Sequence, residues 1–322
     1  MVQLMQSKPL VRTRILISLA IGVGSGAFCW FLMVHFHQGA ADFGWALRSA
    51  RYLLAGKNPY DTPLEQYPLT AAFFGLPFVW LRPEVAAGAF YGISSGLLAF
   101  GLTRQGYSRL LVFLAYPYWA GFLTAQWPPL VMASAFFPLL LPVTLVKPQV
   151  GAPVALTHLT RRGLLACAAL VLLSLIVMPG WPRLWLGQLG NYQHFFPILV
   201  LPGPLLALAA LRYRERDAWL LFSMACMPQR WFFDTLVLWL IPKTRRQILW
   251  TALFSWGAGI WRWYHIPHSF TEVGRWTVIF IYLPMLAVLL FRSSASRGVD
   301  DLGESETQAA SKPQQKLESQ GC

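Results

Sequence analysis

Residues 15–34 read ILISLAIGVGSGAFCWFLMV, twenty consecutive positions without a charge. At about 1.5 Å per residue, a helix of that length spans roughly 30 Å, the thickness of a bilayer's hydrocarbon core. Lys8, Arg12 and Arg14 precede it. A basic flank before an apolar run also marks a signal peptide, but this run is long enough to span and no convincing small-residue cleavage site follows. The stretch predicts an uncleaved first helix whose amino-terminal side is cytoplasmic, because basic flanks stay inside.

The same chemistry continues outward. Of 322 residues, 56% are hydrophobic and 12% charged, about half the charged share of a soluble domain. Apolar stretches recur over 15–34, 68–81, 85–103, 110–125, 128–146, 148–159, 163–179, 195–211, 217–227, 231–242, 247–262 and 275–291. Helices satisfy their own backbone groups in lipid, and the alternating strands of a membrane barrel are missing. The expectation is an all-α polytopic membrane bundle of about ten to twelve transmembrane or re-entrant helices over residues 1–292. A polar cytoplasmic tail, disordered by composition, follows over 293–322. Several stretches are short and rich in Pro and Trp, which suits broken helices lining a cavity.

The net charge of +13 does not point to nucleic acid, because the basic residues fall in small clusters between apolar runs. Arg161/Arg162, Arg212/Arg214/Arg216 and Lys243/Arg245/Arg246 are such clusters, the pattern of cytoplasmic loops. Counting crossings places these and Arg82 inside. The 35–67, 180–194, 228–234 and 263–274 loops and Lys147 then fall outside. Arg104 and Arg109 also fall outside, against the rule. Cys29, Cys167, Cys226 and Cys322 show neither metal-ligand spacing nor a disulfide framework.

Asp300, Asp301, Glu304, Glu306 and Glu318 lie in the tail, which leaves eight acidic residues for the membrane part: Asp42, Asp61, Glu65, Glu84, Glu215, Asp217, Asp234 and Glu272. Glu215 and Asp217 alternate with arginines in a solvated loop, and Glu84 sits in the turn after Pro83. Asp42 is different. It follows the first helix in Gln38-Gly39-Ala40-Ala41-Asp42-Phe43, just before Trp45, Arg48, Arg51 and Tyr52 at helical spacings. That spacing predicts a short interfacial helix, stopped by Gly56-Lys57-Asn58-Pro59. Two readings stand open: Asp42 caps that helix, or it faces a site. Arg48 and Arg51 are likewise either headgroup anchors or ligands.

The block Ala41-Asp42-Phe43, then Ala50-Arg51-Tyr52-Leu53-Leu54-Ala55-Gly56-Lys57-Asn58-Pro59-Tyr60-Asp61, then Tyr67-Pro68 with Pro77 beyond, resembles glycosyltransferase family 87. Gln126 before an apolar run, Lys147-Pro148, and Met227-Pro228-Gln229-Arg230-Trp231-Phe232-Phe233-Asp234 are shorter echoes of the family's later motifs. Arg230 stands where serine is common in the family. The resemblance implies a GT-C-class bundle in the cell membrane. Its implied activity is transfer of a hexose, mannose foremost, from a polyprenyl-phosphate donor to an extracytoplasmic glycan or glycolipid acceptor. It implies Asp42 as general base and Arg48, Arg51, Lys57, Tyr60, Gln126, Lys147, Arg230 and Asp234 as substrate-binding residues. Some enzymes of the class use a divalent ion, Mg or Mn, which Asp42 and Asp234 could share. His35, His37, His194, His265 and His268 show no metal spacing. Two rival readings are a lipid-linked glycan transporter or flippase, for which no internal repeat argues, and an inactive scaffold that binds the polyprenyl lipid.

Overall fold

The computed structural model describes residues 10–61 and 66–292. Lys8, Glu65 and the 293–322 tail therefore lie outside the described residues. The described chain is helical and contains no strand, only one isolated antiparallel bridge between Phe195 and Gln229. The compact unit ends at Leu289. The α-helices in chain order are α1 Val11–His35, α2 Phe43–Leu54, α3 Thr70–Gly75, α4 Pro83–Leu102, α5 Tyr116–Phe122, α6 Pro128–Ala133 and α7 Pro148–His158. They continue with α8 Arg161–Val177, α9 Trp181–Gln188, α10 Arg216–Cys226, α11 Arg245–Tyr264, α12 Phe270–Thr277 and α13 Leu283–Leu290.

Between them run tight 3₁₀ segments, notably Tyr107–Leu114, Pro138–Leu145, Gly203–Arg212 and Phe232–Leu240. Pro142 lies inside the second, where it cannot donate to an α-helical ladder. A 3₁₀ turn rises about 2.0 Å per residue, so such a segment reaches further than an α-helix of equal length. Among the described residues, three helical spans are long and apolar enough to cross a membrane: Val11–His35, Pro83–Leu102 and Phe270–Leu290, the last made of α12, a π turn and α13. The pair α8 and α9, bent by 95°, makes a fourth if it is one broken span. Of the other expected segments, 247–262 forms the unbroken twenty-residue α11, which is less apolar, and the rest are shorter pieces.

The contact that sets the architecture is antiparallel α1 on α4. Gly22 and Gly26 face Gly88, Gly92 and Gly96 so closely that a Cβ on Gly92 would sit 2.8 Å from the Gly22 carbonyl oxygen. One on Gly26 would sit 2.9 Å from the Gly88 carbonyl oxygen. Small residues four apart let two helices in lipid bring their backbones together. Arg14 closes one end of the pair, donating from Nη2 to the Phe100 carbonyl at 2.9 Å and from Nε to Thr103 Oγ1 at 3.3 Å. At the other end Pro83 packs beside Gly39, three residues from Asp42.

These two ends correct the crossing count. The 68–81 stretch starts at Tyr67, bonded to Asp42, and returns to Pro83 beside Gly39, so it re-enters rather than crosses. Arg51 on α2 holds its return, donating to the Val79 and Leu81 carbonyls at 3.2 and 2.8 Å. One crossing fewer swaps the side of each nearby basic residue. Arg82 lies at the Asp42 end, whereas Arg104, two residues past α4, lies at the Arg14 end. Arg109 joins that end too, donating to the carbonyls of Pro242 and Trp239 beside Lys243. Arg104 and Arg109 therefore share an end with Arg14, and Arg82 does not.

Gly92→Leu should lower the thermal midpoint in detergent, by about 1–3 kcal/mol of overpacking. Gly24→Leu, on the same helix as Gly22 with nothing within 4 Å of its Cβ position, should leave the midpoint unchanged.

Candidate functional site

At the Asp42 end the helices surround a cavity of about 1720 Å³. Its chemistry converges on Lys147. Pro148 opens α7 and suits the first helical position, which leaves Lys147 at the junction with the 3₁₀ segment before it. There the side chain is 7% exposed. Its Nζ lies 2.7 Å from Asp234 Oδ1, donates to Gln126 Oε1 at 2.8 Å, and stands 3.8 Å from Asp42 Oδ2. The Phe233 ring covers it at 4.9 Å. Asp234 is fully buried in the first turn of Phe232–Leu240, and its Oδ2 accepts from the Arg230 backbone N–H at 3.3 Å.

Asp42 immediately precedes α2, yet its side chain makes no capping hydrogen bond. The carboxylate instead accepts a short hydrogen bond from the Tyr67 hydroxyl and looks toward Lys147. The capping alternative is thereby excluded by geometry. Two strained loops hold the partners in place. Ala41 and Ala125, beside Asp42 and Gln126, both have left-handed backbones, at φ 44° and 45°. The loops are tied by Asp42 N–H donating to the Thr124 carbonyl at 3.0 Å. Strain of this kind, of order 1–3 kcal/mol per residue, persists where the surroundings over-determine the backbone. Beneath them Phe43 stacks on Phe90 at 4.1 Å and Trp127 closes on Phe90 at 4.7 Å, all three buried.

The polar wall continues through Arg230. Its Nη1 donates to Gln66 Oε1 at 3.4 Å, and its guanidinium lies near the Tyr192 and Phe270 rings. Its Nε is buried and has no partner among the described residues. Tyr192 accepts from Gln149 Nε2 at 3.0 Å, and the Phe195–Gln229 bridge ties its loop to the Arg230 segment. Arg262, near the end of α11, also lines the cavity and lies 6.0 Å from the Trp231 ring. Apolar and aromatic side chains complete the lining, among them Trp119, Leu123, Trp256 and Ile260. Burial foremost, and then the Asp42 charge, push the Tyr67 hydroxyl well above the ordinary phenol range. Burial and then Asp234 do the same to Tyr192. Both remain protonated donors at neutral pH.

Of the residues read from sequence, Asp42, Gln126, Lys147, Arg230 and Asp234 come together around the cavity. Arg48, Arg51 and Lys57 do not. All three are exposed; Arg48 lies over Trp45 at 4.3 Å, and Arg51 clamps the re-entrant turn. Tyr60 is buried outside the cavity and acts at one remove, donating to the Tyr67 carbonyl at 3.1 Å. The sequence reading assigned no role to Gln66, Tyr67, Gln149, Tyr192 or Arg262. Of these only Tyr67 carried a signal, through its place beside Pro68 at the head of the re-entrant stretch.

A divalent ion shared by Asp42 and Asp234 does not suit this arrangement. The Lys147 ammonium stands between the two carboxylates, and no group of three or more His, Cys, Asp or Glu gathers among the described residues. Comparison with protein-family models, curated proteins and solved structures finds no match to this chain.

Removing one member of a buried ion pair strands the other. Lys147→Met should therefore cost about 3–5 kcal/mol of stability. Lys147→Met with Asp234→Leu should recover most of it. Thermal denaturation of the two variants in one detergent checks this, and an unchanged midpoint in the single variant would show that Asp234 finds another partner.

Proposed function

We propose that the chain is a GT-C-type membrane glycosyltransferase that moves a hexose, mannose foremost, from a polyprenyl phosphate to an acceptor hydroxyl outside the cytoplasm. The observation that carries this reading is one cavity whose lining divides between polar groups and many aromatic side chains. The polar groups include the Asp42 carboxylate and two arginines, Arg230 and Arg262, with no acidic partner among the described residues. At about 1720 Å³ it exceeds the roughly 300–1,000 Å³ of small-molecule pockets. A sugar phosphate carrying a long hydrocarbon tail needs that size and that division of polarity.

In the proposed reaction the acceptor oxygen attacks the anomeric carbon as Asp42 takes its proton. The bond from that carbon to the phosphate oxygen breaks with inversion, and polyprenyl phosphate departs carrying the electron pair. A positioned base contributes roughly 10²–10⁴-fold, and Tyr67 orients this one. Arg230 and Arg262 are the cations available to the departing phosphate. Arginine suits phosphate because its planar fork donates two parallel hydrogen bonds. Lys147, offered from sequence as a phosphate ligand, directs its charge to Asp234 and Gln126. Its role in this scheme is to hold the two carboxylates apart and in register.

The decisive assay incubates detergent-purified protein with radiolabelled polyprenyl-phosphate sugars and membrane extract. Transfer should fall at least roughly 100-fold in Asp42→Asn. Turnover near wild type in a well-inserted variant removes Asp42 from the mechanism. Arg230→Met should raise the donor KM or lower kcat with acceptor KM unchanged, and Arg230→Lys should restore little.

The cavity is proposed to open away from the cytoplasm, since Arg14, Arg104, Arg109 and Lys243 gather at the opposite end. A cysteine at exposed His37 should react with a membrane-impermeant thiol reagent in intact cells. Labelling only after lysis reverses the orientation.

A further inference from the structure

A second cavity, of about 720 Å³, runs along the outside of the α1–α4 pair and shares no lining residue with the first. Its floor is the glycine contact itself, Gly22 and Gly26 against Gly92 and Gly96. Its walls are larger side chains, among them Leu19 on α1 and Ile93 on α4, both more than half exposed. A furrow with a backbone floor and flexible apolar walls fits a slender chain better than a second helix. The glycines already pack against each other, and an approaching helix would meet the walls first. From Ile15 to Trp30 the furrow follows about 22 Å of helix, more than the roughly 15 Å of one leaflet's hydrocarbon.

The furrow is not uniformly apolar. Ser18 faces it 6% exposed, and its hydroxyl has no partner among the described residues. At the same end Phe100 lines it, and that ring is flanked by two guanidinium groups, Arg14 at 4.5 Å and Arg104 at 5.8 Å. Arg14 engages Nη2 and Nε with α4, and Arg104 engages Nη1 with the Phe136 carbonyl, so each keeps a donor for another acceptor. Arg12 lies exposed nearby in sequence. An apolar furrow that ends in a buried hydroxyl and paired arginines is complementary to one molecule class. It combines a hydrocarbon chain with a phosphodiester headgroup. We infer that this furrow binds one anionic phospholipid from the surrounding bilayer, its acyl chain over the glycines and its phosphate at Arg14 and Arg104.

The test mixes the detergent-purified full chain with equal amounts of phosphatidylglycerol and phosphatidylcholine and counts retained lipid by native mass spectrometry. One phosphatidylglycerol should be kept in at least roughly fivefold preference, the factor expected for one engaged arginine. Arg104→Gln should remove about that factor. Ala27 is exposed and lines the furrow, so Ala27→Phe should fill the furrow and lose the lipid, with elution volume and thermal midpoint unchanged. Ile93→Trp serves the same purpose from the opposite wall should Ala27→Phe misfold. Equal retention of the two lipids overturns the headgroup assignment. Phosphatidylglycerol that persists in the filled variants overturns the furrow. A lipid-free dimer that Ala27→Phe dissociates assigns the surface to a second copy instead.

Discussion

The Lys147 ammonium, buried between Asp234 and Asp42, is the interaction on which the Asp42 end of the molecule depends. Without it, fully buried Asp234 would have no ion-pair partner among the described residues, and an isolated carboxylate loses several kilocalories of hydration in an apolar interior. The pair joins pieces distant in sequence: α7, the Phe232–Leu240 segment and, through Gln126, the strained loop before α6. A hydrophobic replacement of both partners could pack as well. What the ions add is direction, since one ammonium aligns a carboxylate, an amide and a second carboxylate at defined distances.

Asp42 illustrates how much such direction matters. By position it is a helix cap, and by composition it is one acid among few. The Tyr67 hydroxyl and the nearby ammonium turn its carboxylate from the α2 amides toward the cavity. Left-handed Ala41 and Ala125 absorb the strain of that turn in the two loops that meet at the Asp42–Thr124 hydrogen bond. The arginines that line the same cavity, Arg230 and Arg262, form no ion pair with these acids among the described residues.

The α1–α4 glycine contact serves the site from a distance. It fixes where α1 ends, and so where Asp42 begins, and it brings Pro83 back beside Gly39. The re-entrant 68–81 stretch is the consequence: with α4 starting at the Asp42 end, the chain between has to leave and return on one side. Arg51 supplies the clamp that holds the return, a use of a cation that has nothing to do with anions.

The sequence by itself determined that the chain is helical and apolar enough for lipid, because a twenty-residue uncharged run and sparse charge are local properties. It also singled out Asp42, one of few acids, and Lys147, a lysine between apolar runs, whereas Gln126, Arg230 and Asp234 were pointed to by the resemblance to glycosyltransferase family 87. It could not separate those from Arg48, Arg51 and Lys57. A cation's type and neighbourhood in sequence say nothing about the direction its side chain takes. Nor could it place Arg104 and Arg109, because crossings are counted one by one and a single re-entrant stretch shifts the ends of the residues that follow it until another break restores the count. Tyr192 and Arg262 were invisible for the same reason: each matters through what it meets, and those partners lie tens of residues away. Length and composition act along the chain, but orientation and pairing arise only when the chain has closed on itself.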